Sequence, residues 1–128
     1  MSIEFVRADV LRNVQGRIIE TYGGLPGVRD QSALEAAVGR PRNLECYGDV
    51  DSVAILGACI PWALIKGHAF NDGNKRIAFA ALVMFLELNG HRLTCSEVEE
   101  TAMTLRAAAS EIDEERWTAW VESVVTQL

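Results

Sequence analysis

The run Ile77-Ala78-Phe79-Ala80-Ala81-Leu82-Val83-Met84-Phe85-Leu86 decides the fold, because all ten of its residues are apolar. It is longer than an ordinary strand and apolar all round, which is typical of a helix buried on every side. The pair Asn89-Gly90 supplies a stop for this helix. The sequence therefore predicts a buried central helix over about 77–89.

Upstream of this run, apolar residues recur at helical spacing from Val6 to Ile19 and predict a first helix that stops at Tyr22-Gly23-Gly24. The Gly- and Pro-containing segment Gly23 to Arg29 predicts a loop. The pattern Ser32-x-x-Glu35 is typical of a capping box and predicts a short helix from Gln31 to Val38. The sequence Arg40-Pro41-Arg42 is expected to end that helix.

A third helix is predicted from a cap at Asp51 or Ser52 through Ile65, kinked at Pro61 and ended by Gly67. Downstream, the overlapping boxes Thr94-x-x-Glu97 and Ser96-x-x-Glu99 predict a helix to about Ala109. A last helix is predicted to carry one apolar face, formed by Trp117, Trp120, Val121, Val124 and Val125. The fold class is all-α, a compact bundle around the central helix with at most one small hairpin near His91 to Cys95.

The composition fits this picture, since 128 residues of which 49% are hydrophobic and 23% charged predict one globular domain over 1–128. The net charge is −6, and eight acidic against two basic residues lie between Glu97 and Glu122. This acidity argues against broad electrostatic binding to nucleic acid. The N-terminal residues up to Val14 are charged and lack the apolar core of a signal peptide, and no run is long enough to span a bilayer. The three cysteines Cys46, Cys59 and Cys95 have no metal-ligand spacing, so free thiols in a cytoplasmic protein are expected.

The segment His68-Ala69-Phe70-Asn71-Asp72-Gly73-Asn74-Lys75-Arg76 carries most of the chemistry. It lies in the loop before the central helix, whose N-terminus offers unpaired N–H groups and a positive dipole to a phosphate. Lys75 and Arg76 oppose that dipole, which indicates that an anion sits between them. Gly73 allows close backbone approach, and Asp72 can hold Mg²⁺ together with substrate phosphates.

His68 can take a proton from a hydroxyl nucleophile, and Phe70 is expected to point inward and anchor the loop. Each residue alone has a structural explanation, such as a helix cap for Asp72 or a solvated face for Lys75 and Arg76. Taken together, these structural explanations fail, because the segment between Gly67 and Arg76 has almost no residue without a chemical or anchoring role. The pattern is not a P-loop, because it lacks G-x-x-x-x-G-K-[ST].

The motif His68-x-Phe70-x-Asp72-Gly73-Asn74-Lys75-Arg76 resembles the signature of the Fic/Doc (Fido) family. Three further segments resemble its death-on-curing (Doc) branch, namely Tyr22-Gly23-Gly24-Leu25-Pro26-Gly27, Ala33 to Arg40, and Phe85-Leu86-x-x-Asn89-Gly90. The resemblance implies a Fido-type helical bundle and a toxin from a prokaryotic toxin–antitoxin pair. It covers most of the chain from Tyr22 to Gly90, whereas the last third matches only in length and helicity.

By this resemblance, His68 would activate a target hydroxyl and Asp72 would bind Mg²⁺. The nucleotide ATP would be held through its phosphates by Gly73, Asn74, Lys75 and Arg76, with Lys66 as a weaker candidate. Most Fic relatives transfer AMP, and they carry Gly where Lys75 stands and a second Arg where Phe79 stands. Both departures are characteristic of the Doc branch, which transfers the γ-phosphate, with elongation factor Tu as the implied target.

Three interpretations stay open at this point. The chain could be a Doc-type kinase. It could instead be an AMP-transferring enzyme on the same scaffold, because Gly73 matches the residue that such enzymes carry at this position. It could also be a weakly catalytic module that binds an antitoxin. The self-inhibitory pattern [ST]-x-x-x-E-[GN] of many Fic proteins does not occur, and the nearest match, Ser110 to Glu115, ends in Glu. Restraint is therefore expected from a separate antitoxin encoded nearby, which would fold as a helix on the chain.

Overall fold

A computed structural model describes residues 2–128. As predicted, the fold is mostly helical with one small sheet. The elements in chain order are α1 (Ala8–Tyr22), α2 (Gln31–Tyr47), α3 (Val53–Gly67), α4 (Asn74–Leu88), β1 (His91–Leu93), α5 (Glu97–Ala108), α6 (Glu114–Ser123) and β2 (Val125–Gln127).

Helix α4 is the predicted central helix, although it begins at Asn74 and ends at Leu88. It packs most extensively against α3 and also contacts α1, β1 and α5. Its buried stripe consists of Ile77, Ala78, Ala81, Leu82, Phe85 and Leu86. The expectation of burial on every side is wrong, because the apolar residues between these six are only half-buried. The partly open face of α4 borders the cleft described below.

Helix α2 differs from its prediction at both ends. Its N-cap is Asp30, whose carboxylate accepts a hydrogen bond from the Ala33 amide at 3.0 Å, so Ser32 is not the cap. The helix does not stop before Pro41 but continues to Tyr47. Pro41 is buried on the same stripe as Leu34 and Ala37, and burial of that stripe offsets the hydrogen bond that proline cannot donate.

Helices α3 and α5 begin at predicted serine caps. The Ser52 hydroxyl accepts from the Ile55 amide at 3.3 Å, and the Ser96 hydroxyl accepts from the Glu99 amide at 3.1 Å. Thr94 caps no helix, because its hydroxyl donates to the Val124 carbonyl at 3.0 Å. Helix α3 runs through Pro61 and ends at Gly67 as expected, and this end places His68.

The C-terminal residues form a strand where a helix was predicted. Helix α6 ends at Ser123, and β2 pairs antiparallel with β1 in the register Leu93 to Val125. The sheet is therefore not a hairpin, since α5 and α6 lie between its strands. Trp117 anchors α6 in the core through an indole N–H that donates to the Ala58 carbonyl at 2.9 Å. Within residues 2–128, no helix has the length and apolarity needed to cross a membrane.

Candidate active site

His68 lies where α3 ends, and its backbone adopts the left-handed conformation (φ 48°, ψ 52°). Its side chain is exposed to solvent. The Arg29 guanidinium donates to the carbonyls of His68 at 2.9 Å and Gly67 at 3.4 Å. These bonds satisfy carbonyls that the end of α3 leaves without helical partners. Arg29 therefore fixes the backbone from which the imidazole projects.

The loop 23–30 is hydrogen-bonded to the motif along its length. Val28 and Phe70 form an antiparallel bridge, flanked by bonds from the Arg29 amide to the Ala69 carbonyl at 2.8 Å and from the Asn71 amide to the Gly27 carbonyl at 3.0 Å. Phe70 is fully buried and anchors the motif in the core, as predicted for its inward orientation. The loop and the motif thus form one structural unit.

Asn74 closes the turn between this anchor and α4. Its amide oxygen accepts from the Phe70 N–H at 3.1 Å, and its amide nitrogen donates to the Phe70 carbonyl at 2.9 Å. The side chain is therefore occupied by the loop backbone, and what Asn74 can offer a phosphate is its own main-chain N–H. The contact of Asn74 with a nucleotide stays a prediction.

The N-terminus of α4 has the features of an anion site. Gly73 occupies the cap position with φ 77° and has no side chain to accept from the first turn. Among residues 2–128, no acceptor pairs with the main-chain N–H groups of Asn74, Lys75 or Arg76. No acidic residue lies in this turn, whereas Lys75 and Arg76 are exposed there. Unpaired N–H groups, the helix dipole and two cations favour a phosphate at this position.

Asp72 is held beside this site by the neighbouring loop. Its Oδ2 atom accepts a hydrogen bond from the Leu25 amide at 2.6 Å, and its side chain remains exposed. No group of three or more His, Cys, Asp and Glu side chains suited to a metal occurs in the described part of the chain. A single carboxylate beside a phosphate site fits Mg²⁺, which takes one or two carboxylates together with substrate phosphates and water.

Lys66 is the one predicted phosphate ligand that the structure does not bring to this loop. Its ammonium donates to the Ala107 carbonyl at 3.0 Å and to the Ser110 hydroxyl at 2.6 Å. These acceptors lie at the C-terminal end of α5, where a cation complements the helix dipole. In this arrangement Lys66 joins α3 to α5.

A cleft of about 750 Å³ opens next to Lys75 and Arg76. The Arg76 guanidinium stacks 3.8 Å above the centre of the Tyr22 ring. The remaining lining includes the apolar side chains of Ile18, Phe79, Ala80, Leu93 and Leu105. Phe79 is thus part of an apolar wall.

Glu100 is a buried acid that also lines this cleft. Burial raises the pKa of its carboxyl group, and hydrogen bonds donated by Thr104 at 3.0 Å and Thr101 at 3.4 Å act in the opposite direction. The sequence pattern assigned no functional role to Glu100, Gln15 or Tyr22, although Tyr22 belongs to the segment that resembles the Doc branch. One feature of the sequence could have pointed to Gln15. It is a polar residue on the apolar stripe of α1 that begins at Leu11 and continues at Ile18.

Comparison with known proteins agrees with the motif. A family model described as the Fic/DOC family matches residues 5–86. The chain is 37% identical over 94 residues to Protein kinase doc of Escherichia phage P1, covering 73% of this chain and 74% of that protein. It is 44% identical over 75 residues to Toxin Doc of Mycolicibacterium smegmatis, covering 56% of each.

Proposed function

This chain belongs to the Fic/Doc family, and from that premise we propose that it is a Doc-type toxin that transfers the γ-phosphate of ATP to a hydroxyl of a target protein. The observation that carries the proposal is the first turn of α4. That turn carries the unpaired N–H groups together with Lys75 and Arg76, and it directly follows the segment that presents His68 and Asp72 to solvent. The kinase name of the phage relative supports phosphate transfer over AMP transfer.

In the proposed reaction, His68 acts as the general base. The target hydroxyl gives its proton to a ring nitrogen of His68 while its oxygen forms a bond to the γ-phosphorus. The bond from that phosphorus to the bridging oxygen breaks, and its electron pair leaves with ADP. Exposure of the imidazole, together with the fixed backbone beneath it, lets a hydroxyl on another protein reach this base.

Phosphate charge is neutralised by the first turn of α4 in this proposal. Lys75, Arg76 and the main-chain N–H groups around Gly73 hold the phosphates, so they stabilise the charge that moves to the leaving group. The carboxylate of Asp72 would hold Mg²⁺, which supplies further charge neutralisation and orients the phosphates. The Tyr22 ring limits the positions that the Arg76 guanidinium can adopt.

Two partners follow from the family. We propose elongation factor Tu as the protein substrate and an antitoxin encoded beside the gene as the inhibitor. An antitoxin helix that buries apolar residues against Ile18, Phe79 and Leu105 would occupy the cleft beside Lys75 and Arg76 and exclude the nucleotide. The half-exposed Leu105 supports this placement, because an unpartnered leucine at the cleft rim is available to such a helix.

The experiment is an incubation of the purified chain with bacterial lysate, Mg²⁺ and ATP labelled at either the α or the γ position. Label from the γ position alone on a protein of the lysate is expected. His68→Ala is the matched control, because an exposed imidazole contributes little packing. Label from the α position would favour AMP transfer instead, and no label at either position would favour the antitoxin-binding module.

Expression of the chain alone should also arrest bacterial growth, and co-expression of the neighbouring open reading frame should restore it. Harmless expression at verified protein levels would contradict the toxin assignment.

A further inference from the structure

We propose that Gln15 of α1 is a positioning residue for the metal-binding carboxylate of Asp72, an inference that rests on the proposed function of this site. Gln15 is a polar residue with only 1% of its surface exposed, and it does not line the cleft beside Lys75 and Arg76. Burial of an amide is unfavourable unless its hydrogen bonds are made. Each of its bonds goes to the loop or to the motif.

Three residues form a closed ring of hydrogen bonds. The Gln15 side-chain nitrogen donates to the Asp72 carbonyl at 3.1 Å and to the Leu25 carbonyl at 3.4 Å. The Leu25 amide in turn donates to Asp72 Oδ2 at 2.6 Å. The main chain of Asp72 is thus tied to α1, and its carboxylate is tied to a loop residue that the same glutamine holds.

The fourth contact explains why the residue is a glutamine. Its side-chain oxygen accepts from the Gly27 amide at 3.1 Å, so one group must accept from one partner and donate to two others. A glutamate would set its second oxygen against two carbonyls, and a methionine could neither donate nor accept strongly. Among side chains of this length, only a glutamine satisfies all three loop and motif groups.

The consequence concerns the direction of the Asp72 carboxylate. With Oδ2 held by the Leu25 amide, the other oxygen is left for a cation. A carboxylate fixed in advance loses less rotational freedom when it binds, and partners that orient a ligand typically change metal affinity by about 10- to 100-fold. Loss of Gln15 should therefore weaken the magnesium-dependent part of nucleotide binding and leave magnesium-independent binding unchanged.

The test measures the dissociation constant of a non-hydrolysable ATP analogue by calorimetry, once with Mg²⁺ and once with EDTA. The magnesium ratio is the dissociation constant in EDTA divided by the dissociation constant in Mg²⁺. In Gln15→Met, this ratio should fall by about 10-fold toward unity, with the dissociation constant in EDTA nearly unchanged. Val121→Ala is the stability control, because this buried residue of α6 is remote from the loop and its truncation lowers only the melting temperature.

A double-mutant cycle with Asp72→Ala makes the inference specific. If Gln15 acts through Asp72, Gln15→Met should have no further effect on the magnesium ratio in the Asp72→Ala background. Equal effects in both backgrounds would overturn the proposal, as would a magnesium ratio in Gln15→Met that equals the wild-type ratio.

Two additions guard against a variant that does not fold. Gln15→Glu, which keeps the acceptor for the Gly27 amide, should show the same loss. In the wild-type chain, the Leu25 and Gly27 amides should be protected from hydrogen exchange, and rapid exchange of both would overturn the proposal.

Absence of any magnesium effect in the wild-type chain would overturn this inference and the Asp72 assignment together. Intact magnesium enhancement without phosphate transfer would instead contradict only the proposed function.

Discussion

Replacement of Gly24 by Ala tests whether the loop 23–30 holds Asp72 in place. A Cβ atom at position 24 would lie 3.1 Å from Asp72 Cβ, 3.1 Å from Ile19 Cδ1 and 3.3 Å from Asp72 Oδ2. The backbone at Gly24 has φ +114°, which a residue with a side chain rarely adopts. The substitution therefore combines backbone strain with a tight contact against the Asp72 side chain.

The two effects have different consequences. Strain of this kind costs about 1–3 kcal/mol, which in a domain of this size lowers the melting temperature by about 4 °C per kcal/mol. The Ile19 methyl can rotate away, but Asp72 can move only if its bond to the Leu25 amide lengthens from 2.6 Å. Displacement of an oriented ligand should reduce Mg²⁺-dependent phosphate transfer by about 10- to 100-fold.

Gly90→Ala is the matched control. Gly90 also has a positive φ, +75°, but a Cβ atom there would meet nothing within 4 Å, and the residue lies at the far end of α4. Its substitution should lower the melting temperature by a few degrees and leave phosphate transfer unchanged. The assay is γ-phosphate transfer at a series of Mg²⁺ concentrations, with thermal unfolding measured in parallel. Full transfer by Gly24→Ala, or equal loss in Gly90→Ala, would show that the loop 23–30 does not hold Asp72 in place.

Further expectations concern the base, the phosphate site and two buried titratable groups. His68→Ala should reduce transfer by about 10²–10⁴-fold with an unchanged melting temperature, and full transfer would exclude it as the base. Lys75→Gly should abolish γ-phosphate transfer and permit some α-label incorporation, whereas undiminished γ-transfer would show that this lysine does not set nucleotide orientation. Burial raises the pKa of Cys59 to about 12, so at pH 8 a thiol reagent should modify the exposed Cys46 and spare Cys59; equal labelling would contradict the burial. Because burial raises the pKa of Glu100, wild-type stability should decline as pH rises from the ordinary glutamate range, and Glu100→Gln should remove that decline in thermal unfolding.

The sequence predicted the central helix and indicated a candidate site at its start, because both depend on local signals. A run of ten apolar residues is local evidence for a helix with an extensive buried face, and cations at the start of α4 are unfavourable next to the helix dipole in the absence of an anion. Serine caps at Ser52 and Ser96 are equally local and were predicted correctly. These features need no knowledge of the tertiary structure.

The features that were missed depend on contacts between distant segments. Pro41 normally ends a helix, but tertiary burial of its face carries α2 onward to Tyr47. Val125 continues the apolar pattern of α6, yet the free edge of β1 draws it into a strand. Gln15 is an ordinary polar residue of α1 until the fold places Leu25 and Asp72 against it.

We propose that the cation-rich start of α4 directs transfer of the γ-phosphate. The most direct measurement is the intact mass of purified elongation factor Tu after incubation with the chain, ATP and Mg²⁺. We expect a mass gain of one phosphoryl group, which should be absent when His68→Ala replaces the wild-type chain. A gain of one adenylyl group would contradict it.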